Sequence, residues 1–104
     1  MSALIVLTNV PNREVALAIA HDLVERKLAA CVNVLDGCDS IYRWQGNIEQ
    51  AREIPLLIKT QADCYAEVEA TIRAKHPYEL PEVIAVRVER GMPAYLQWLA
   101  DETS

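Results

Sequence analysis

The chain has 104 residues, of which 52% are hydrophobic and 24% are charged, and its net charge at pH 7 is −5. This length predicts a single domain, residues 1–104, and the apolar content excludes a disordered chain. The negative charge and the scattered basic residues argue against a nucleic-acid partner, because phosphate binding requires clustered lysines and arginines.

The first predicted element is a buried strand, because residues 3–7 form an unbroken apolar run that closes before Pro11. This run is too short to cross a membrane or to act as a signal peptide, so we expect no membrane partner. A helix should follow, with Asn12 as its N-cap and an apolar stripe that continues to about Lys27.

A second strand is predicted at residues 29–35, where apolar side chains alternate, and Asp36-Gly37 then predicts a bend or bulge. Residues 45–47 predict a hairpin turn, after which the chain returns through residues 48–60. Pro55 cannot donate a ladder hydrogen bond, so it should lie at a bulge or at an outward-facing edge.

The second helix should begin at residues 60–63, Thr-Gln-Ala-Asp, which resemble a capping box. It should end at His76, because the residue before a proline is driven out of the helical region. A last strand is predicted at residues 83–89, and a short helix follows around residues 95–99.

The order of these elements is β-α-β-β-α-β with a terminal helix. It predicts the α+β class, a ferredoxin-like sandwich with a long central hairpin and a short C-terminal helix. The two main helices can cover only one face of the sheet, yet residues 4–7 and 56–58 place large apolar groups on both faces. We therefore expect the bare face and the long hairpin to bind further copies of the chain.

Five stretches resemble the CutA family, the divalent-cation tolerance proteins: residues 29–34, 40–46, 59–60, 76–82 and 95–99. The resemblance implies a PII-like homotrimer that is not an enzyme and needs no cofactor, although it binds copper or another divalent cation. It also implies copper ligands at a strand cysteine and at a histidine pair. Here the matching positions hold Thr8, Lys75 and His76, so only His76 is retained.

The candidate metal ligands are His76, Cys31 and Glu82. Each has a structural alternative: His76 as the residue that ends a helix, Cys31 as a small buried hydrophobe, and Glu82 as a loop acid. One imidazole makes a weak site, since divalent copper prefers several nitrogen and oxygen ligands. Ligands from neighbouring subunits would have to complete it.

The candidate residues for a ligand pocket or a subunit interface are Ser40, Tyr42, Trp44, Lys59 and Tyr78. The first three alternate along the predicted hairpin, so they should share one side of it. The side chain of Lys59 could anchor an anionic group, or its stem could lie buried with the ammonium in solvent.

The cysteines Cys31, Cys38 and Cys64 are odd in number and form no CxxC pair, which predicts reduced thiols and a cytoplasmic location. Two functions remain open. The first is a cytoplasmic, non-enzymatic homotrimer that acts in divalent-cation tolerance and binds copper weakly at clefts between subunits. The second is a PII-like signalling or adaptor trimer that binds a small anionic ligand or a protein.

Overall fold

The computed structural model describes every residue, 1–104. Five strands and three α-helices follow one another along the chain: β1 (Ala3–Val10), α1 (Arg13–Glu25), β2 (Cys31–Val34), β3 (Cys38–Trp44), β4 (Asn47–Gln61), α2 (Tyr65–Lys75), β5 (Ile84–Arg87) and α3 (Pro93–Glu102). A single 3₁₀ turn, Ala62–Cys64, joins β4 to α2. No helix has the length and the apolar content that a membrane span requires.

The sheet is antiparallel, with the strand order β2-β4-β1-β5, and β3 extends the pairing along β4. Together with α1 and α2 packed on one side, this order confirms the predicted ferredoxin-like sandwich. The longest strand is β4, with 15 residues, and it pairs with three of the other four strands. It therefore organises the whole sheet.

The main core lies between the sheet and helices α1 and α2. Alternate residues of β1 and β4 face the helices, so Val6 lies opposite Ile58 and both are fully buried. The helices contribute Ile19, Leu23 and Ile72 to the same cluster. The helical spacing of these apolar residues explains why α1 and α2 form and which faces they bury.

The ends of the helices follow from local chemistry. Asn12 caps α1 as predicted, because its Oδ1 accepts a hydrogen bond of 2.9 Å from the Val15 N–H. Helix α1 ends at Glu25, slightly before the predicted Lys27, which adopts a left-handed φ of 60°. Helix α2 ends at Lys75, and His76 takes the extended conformation that the following proline favours.

The predicted capping box at residues 60–63 is wrong. Thr60 belongs to β4, is fully buried, and donates its hydroxyl to the Leu28 carbonyl at 2.6 Å. Gln61 also belongs to β4, so α2 starts only after the 3₁₀ turn. The tertiary hydrogen bond outcompetes the local one, because a hydroxyl in the core must find a partner there.

A β-bulge separates β2 from β3, as the Asp36-Gly37 pair predicts. Val34 lies opposite Leu56 and Cys38 lies opposite Glu53, so three residues on one strand face two on the other. The extra residue reverses the alternation of side chains. Even-numbered residues of β2 face the helices, whereas those of β3 share the other side with Glu53. Pro55 lies at this bulge, which confirms its predicted position.

Beyond the bulge, β3 and the first half of β4 form a hairpin that projects from the domain; we call residues 38–53 the arm. Its tip is a two-residue turn, with Gln45 at φ 49° and Gly46 at φ 86° between the paired Trp44 and Asn47. Two positive φ values define the type I′ turn, which glycine adopts at low cost. The arm gives the chain its elongated extents of 45 × 25 × 24 Å.

The side of the sheet away from α1 and α2 is largely uncovered. Its apolar residues are Ile5, Leu7, Leu57, Ile84 and Val86; we call this surface the open face. Ile84 is 51% exposed and Val86 is 50% exposed. Helix α3 lies at the end of the sheet where β1 starts, and there Gln61 donates a hydrogen bond to Thr103.

Candidate functional site

A cleft of 840 Å³ lies between the arm and the loop that follows α2. One wall is formed by residues 40–44 of the arm, and the other by residues 77–80 together with Glu82. Asn9 and Glu53 line its base. We call this concavity the arm cleft.

The bulge explains why Ser40, Tyr42 and Trp44 reach the arm cleft. The three side chains share one side of β3, as predicted, and the register places them on the same side as Glu53. Without the extra residue at the bulge they would point to the opposite side. The structure thus brings these three predicted residues together with Tyr78.

Asn9 holds the loop of residues 76–82 at both ends. Its backbone carbonyl lies 2.7 Å from His76 Nε2, and its side-chain amide donates a hydrogen bond of 3.3 Å to Glu82 Oε1. A β1 residue therefore fixes the position of one wall of the cleft.

Both nitrogens of His76 take part in hydrogen bonds, and the side chain is buried. The Tyr78 N–H donates to Nδ1 at 3.2 Å, so Nε2 carries the proton and donates to Asn9. Neither nitrogen offers a free lone pair to a metal ion. In this structure His76 is thus a residue that fixes the loop, which was the structural alternative at the level of sequence.

Tyr78 packs on His76 and reaches into the cleft. The two ring centroids are 4.6 Å apart with an angle of 51° between the planes. Burial raises the pKa of the Tyr78 phenol above its usual value, and the nearby Glu53 carboxylate raises it further. The phenol is therefore neutral at physiological pH and presents an uncharged hydroxyl beside that carboxylate.

Glu53 is the most unusual residue of the site, because it is a carboxylate that is only 7% exposed. The three ion pairs of the chain lie elsewhere, at Asp22 and Asp39, so no basic nitrogen lies within 4.0 Å of Glu53. Burying a charge without a cationic partner costs free energy. Glu53 thus lines the base of the arm cleft without a cationic partner from its own chain.

The remaining candidates lie apart from the cleft. Cys31 on β2 pairs with Lys59 on β4, which in turn pairs with Ile5 on β1. The loop that carries His76 is instead anchored at Asn9, four residues beyond Ile5 along β1. Two strand spacings and four residues separate the two places by roughly 15 Å. The Lys59 ammonium donates a hydrogen bond to Asn33 Oδ1. Within one chain, Cys31 does not meet His76 or Glu82.

No three side chains among the histidines, cysteines, aspartates and glutamates come close enough to hold a metal ion. The three cysteines are all free thiols. Burial raises the pKa of the Cys64 thiol, which disfavours the thiolate that would ligate a metal. A single subunit therefore does not fit the copper site that the family resemblance implies.

Residues 4–102 match the family model described as CutA1 divalent ion tolerance protein. The chain belongs to this family. It is 44% identical over 99 residues to the divalent-cation tolerance protein CutA of Thermus thermophilus, covering 95% of the chain and 96% of the relative. The resemblance found in the sequence motifs is confirmed.

Solved structures agree with this assignment. The fold matches the crystal structure of CutA from Xylella fastidiosa with a TM-score of 0.96 and 43% identity, and the match covers 100% of both chains. Among longer relatives, the human Protein CutA is 46% identical over 93 residues, and the chain spans 52% of its length. An Arabidopsis thaliana relative is named as chloroplastic, and the Archaeoglobus fulgidus structure is described as periplasmic.

Thr8, at the position where the family resemblance implies a cysteine, lies on the helix-facing side of β1. It is 1% exposed between Val6 and Val10, and its hydroxyl has no hydrogen-bond partner. Two other residues of the site, Asn9 and Glu53, were not predicted from the sequence. In the sequence, Asn9 is one of the polar residues that close a predicted strand, and Glu53 follows a charged run typical of a solvated surface. Only the strand register shows that both side chains reach the cleft.

Proposed function

We propose that the chain works as a cytoplasmic, non-enzymatic homotrimer in divalent-cation tolerance, and that it binds copper only weakly, at clefts between subunits. The open face is the observation that supports assembly most directly. The names of the relatives refer to tolerance and not to a reaction, which supports a role without catalysis. The free cysteines support a reducing compartment.

The open face supplies the driving force for assembly. Ile84 and Val86 are each about half exposed, and Ile5, Leu7 and Leu57 are partly buried beside them. Covering a half-exposed isoleucine or valine contributes about 1 kcal/mol. Strand β5 also pairs only with β1, so its other edge has free backbone groups that a neighbouring chain can satisfy.

The arm supplies a second contact surface. Ile41 and Ile48 share the side of the hairpin opposite Tyr42 and Trp44, and they are 69% and 62% exposed. Isolated exposed isoleucines are ordinary, but two adjacent ones on a projecting hairpin form an apolar patch suited to a neighbouring subunit.

Weak copper binding follows from the hydrogen bonds of His76. A copper ion could use Nδ1 only after the bond from the Tyr78 N–H is broken, and Nε2 only after the bond to Asn9 is broken. Each of these losses subtracts about 1 kcal/mol or more from the binding free energy. Ligands from a second subunit must then supply the other coordinating atoms. The lost hydrogen bonds keep the affinity for copper low.

A small anionic ligand, the alternative function, is disfavoured by charge. The arm cleft is lined by Glu53, Glu79 and Glu82 but by a single basic residue, Arg43. Lys59, the candidate anion anchor, is bonded to Asn33 instead. The electrostatic potential of the cleft therefore repels anions.

Calorimetric titration of copper into the purified assembly tests the metal part of this proposal. We expect a dissociation constant that is micromolar or weaker, which corresponds to roughly −8 kcal/mol at most. His76→Ala should lower the free energy of unfolding by about 1 to 3 kcal/mol, because two partly buried hydrogen bonds are lost. His21→Ala, on the exposed surface of α1, is the matched control and should change neither quantity. Nanomolar binding that disappears in His76→Ala would contradict the proposal.

A further inference from the structure

Glu53 is a largely buried acidic residue that forms no ion pair within the chain. It is only 7% exposed as a residue and lines the base of the arm cleft, and its polar neighbour is the uncharged Tyr78 phenol. A buried charge is normally paired with an opposite charge or bound to a metal. An unpaired one that lines an open cavity indicates that the partner comes from outside the chain.

The charges around the cleft favour the same sign of ligand. Glu79 and Glu82 join Glu53 in its lining, and Arg43 is the single opposing charge. A concave surface with one dominant sign concentrates the opposite ion.

The aromatic lining favours an organic cation over a bare ion. Tyr42, Trp44 and Tyr78 all line the cleft, and they remain 43%, 37% and 37% exposed. Aromatic faces attract ammonium and guanidinium groups, most strongly when these are partly removed from water.

A metal ion does not fit the same surface. No three carboxylates of the cleft lie close enough together to hold one metal ion. Separated acids suit a ligand that carries separated positive charges. The apolar surface of Pro77 and Leu80 between them suits a methylene chain.

We propose that the arm cleft binds a linear organic polycation of the di- or polyamine class. One ammonium pairs with Glu53 beside the rings of Tyr42 and Trp44, the methylene chain lies against Pro77 and Leu80, and a second ammonium meets the acids of the loop wall. The inference goes beyond the proposed role in metal tolerance, and it requires neither a metal nor a second subunit.

Isothermal titration of spermidine into the purified protein, at neutral pH and low salt, tests the proposal. We expect saturable binding that Glu53→Gln weakens about tenfold, since that variant removes a charge-assisted hydrogen bond. Glu25→Gln, at an exposed acid near the end of α1, makes the same change in net charge. Its dissociation constant for spermidine should stay within about twofold of the wild-type value. Trp44→Leu should weaken binding about threefold through the lost aromatic face.

Magnesium chloride at equal ionic strength serves as the ligand control, and the thermal midpoint of each variant verifies folding. Glu53→Gln should not lower that midpoint, because it removes an unpaired buried charge. The absence of saturable binding, equal losses in Glu53→Gln and Glu25→Gln, or displacement by magnesium would overturn the proposal. So would a Glu53→Gln variant that dissociates the assembly while spermidine fails to bind, because the cation would then belong to a neighbouring subunit.

Discussion

Replacement of Thr8 by valine should stabilise the protein. The side chain is 1% exposed on the helix-facing side of β1, and its hydroxyl has no hydrogen-bond partner. Valine has the same branched shape and an equal preference for strands, so the substitution removes the hydroxyl and changes little else.

The magnitude follows from the cost of an unsatisfied buried hydroxyl, about 1 to 3 kcal/mol in proteins. Allowing for partial relaxation, we expect Thr8→Val to raise the free energy of unfolding by about 1 to 2 kcal/mol. Each kcal/mol corresponds to roughly 4 to 8 °C in Tm for a domain of this size.

Thr60→Val is the matched control, because Thr60 is also a fully buried threonine on the same side of the sheet. Its hydroxyl does have a partner, the Leu28 carbonyl at 2.6 Å. Removing it leaves that carbonyl unpaired, so we expect a loss of about 1 to 3 kcal/mol. The two variants should therefore shift stability in opposite directions.

Urea unfolding followed by circular dichroism measures both variants. Each titration should use one fixed protomer concentration, since the apparent stability of an assembly depends on concentration. If Thr8→Val loses as much stability as Thr60→Val, the Thr8 hydroxyl has a partner and the reasoning is refuted.

Two further predictions concern Tyr78 and the tip of the arm. Burial and the Glu53 carboxylate raise the pKa of Tyr78 above its usual value of about 10 in the folded state. The neutral phenol therefore stabilises the fold fully below about pH 10, and this stabilisation is lost as the pH rises through the higher folded-state pKa. The urea midpoint of Tyr78→Phe should thus fall less steeply than that of the wild type in this range, and parallel curves would contradict the assignment. Gly46→Ala should cost about 1 kcal/mol in urea unfolding, because alanine is strained at a φ of 86° even though no atom lies within 4 Å of the added carbon; an unchanged midpoint would mean that the turn rearranges freely.

Much of the fold was predictable because local and global preferences agree. Three features have one strong local cause each, and tertiary structure did not override them: the apolar run of β1, the Asn12 cap of α1, and the end of α2 before Pro77. The helix start predicted at residues 60–63 is wrong, because a core hydrogen bond from Thr60 extends β4 past that point. A capping motif cannot reveal that its threonine is needed in the core.

The site was less predictable, because it depends on register. The Asp36-Gly37 pair predicted a bulge, but only the pairing shows that one extra residue turns Tyr42 and Trp44 towards Glu53. The two hydrogen bonds of His76 involve backbone groups of Asn9 and Tyr78, which no side-chain motif records.

The mass of the assembly in solution tests the central proposal most directly, together with one pair of variants. Light scattering at micromolar concentration should give three times the chain mass of 11.7 kDa. Ile84→Asp, on the open face, should dissociate the assembly, whereas Val24→Asp, at a similarly exposed position on α1, should leave it intact. A folded protein of 11.7 kDa at that concentration, or an Ile84→Asp variant that retains the full mass, would contradict assembly through the open face.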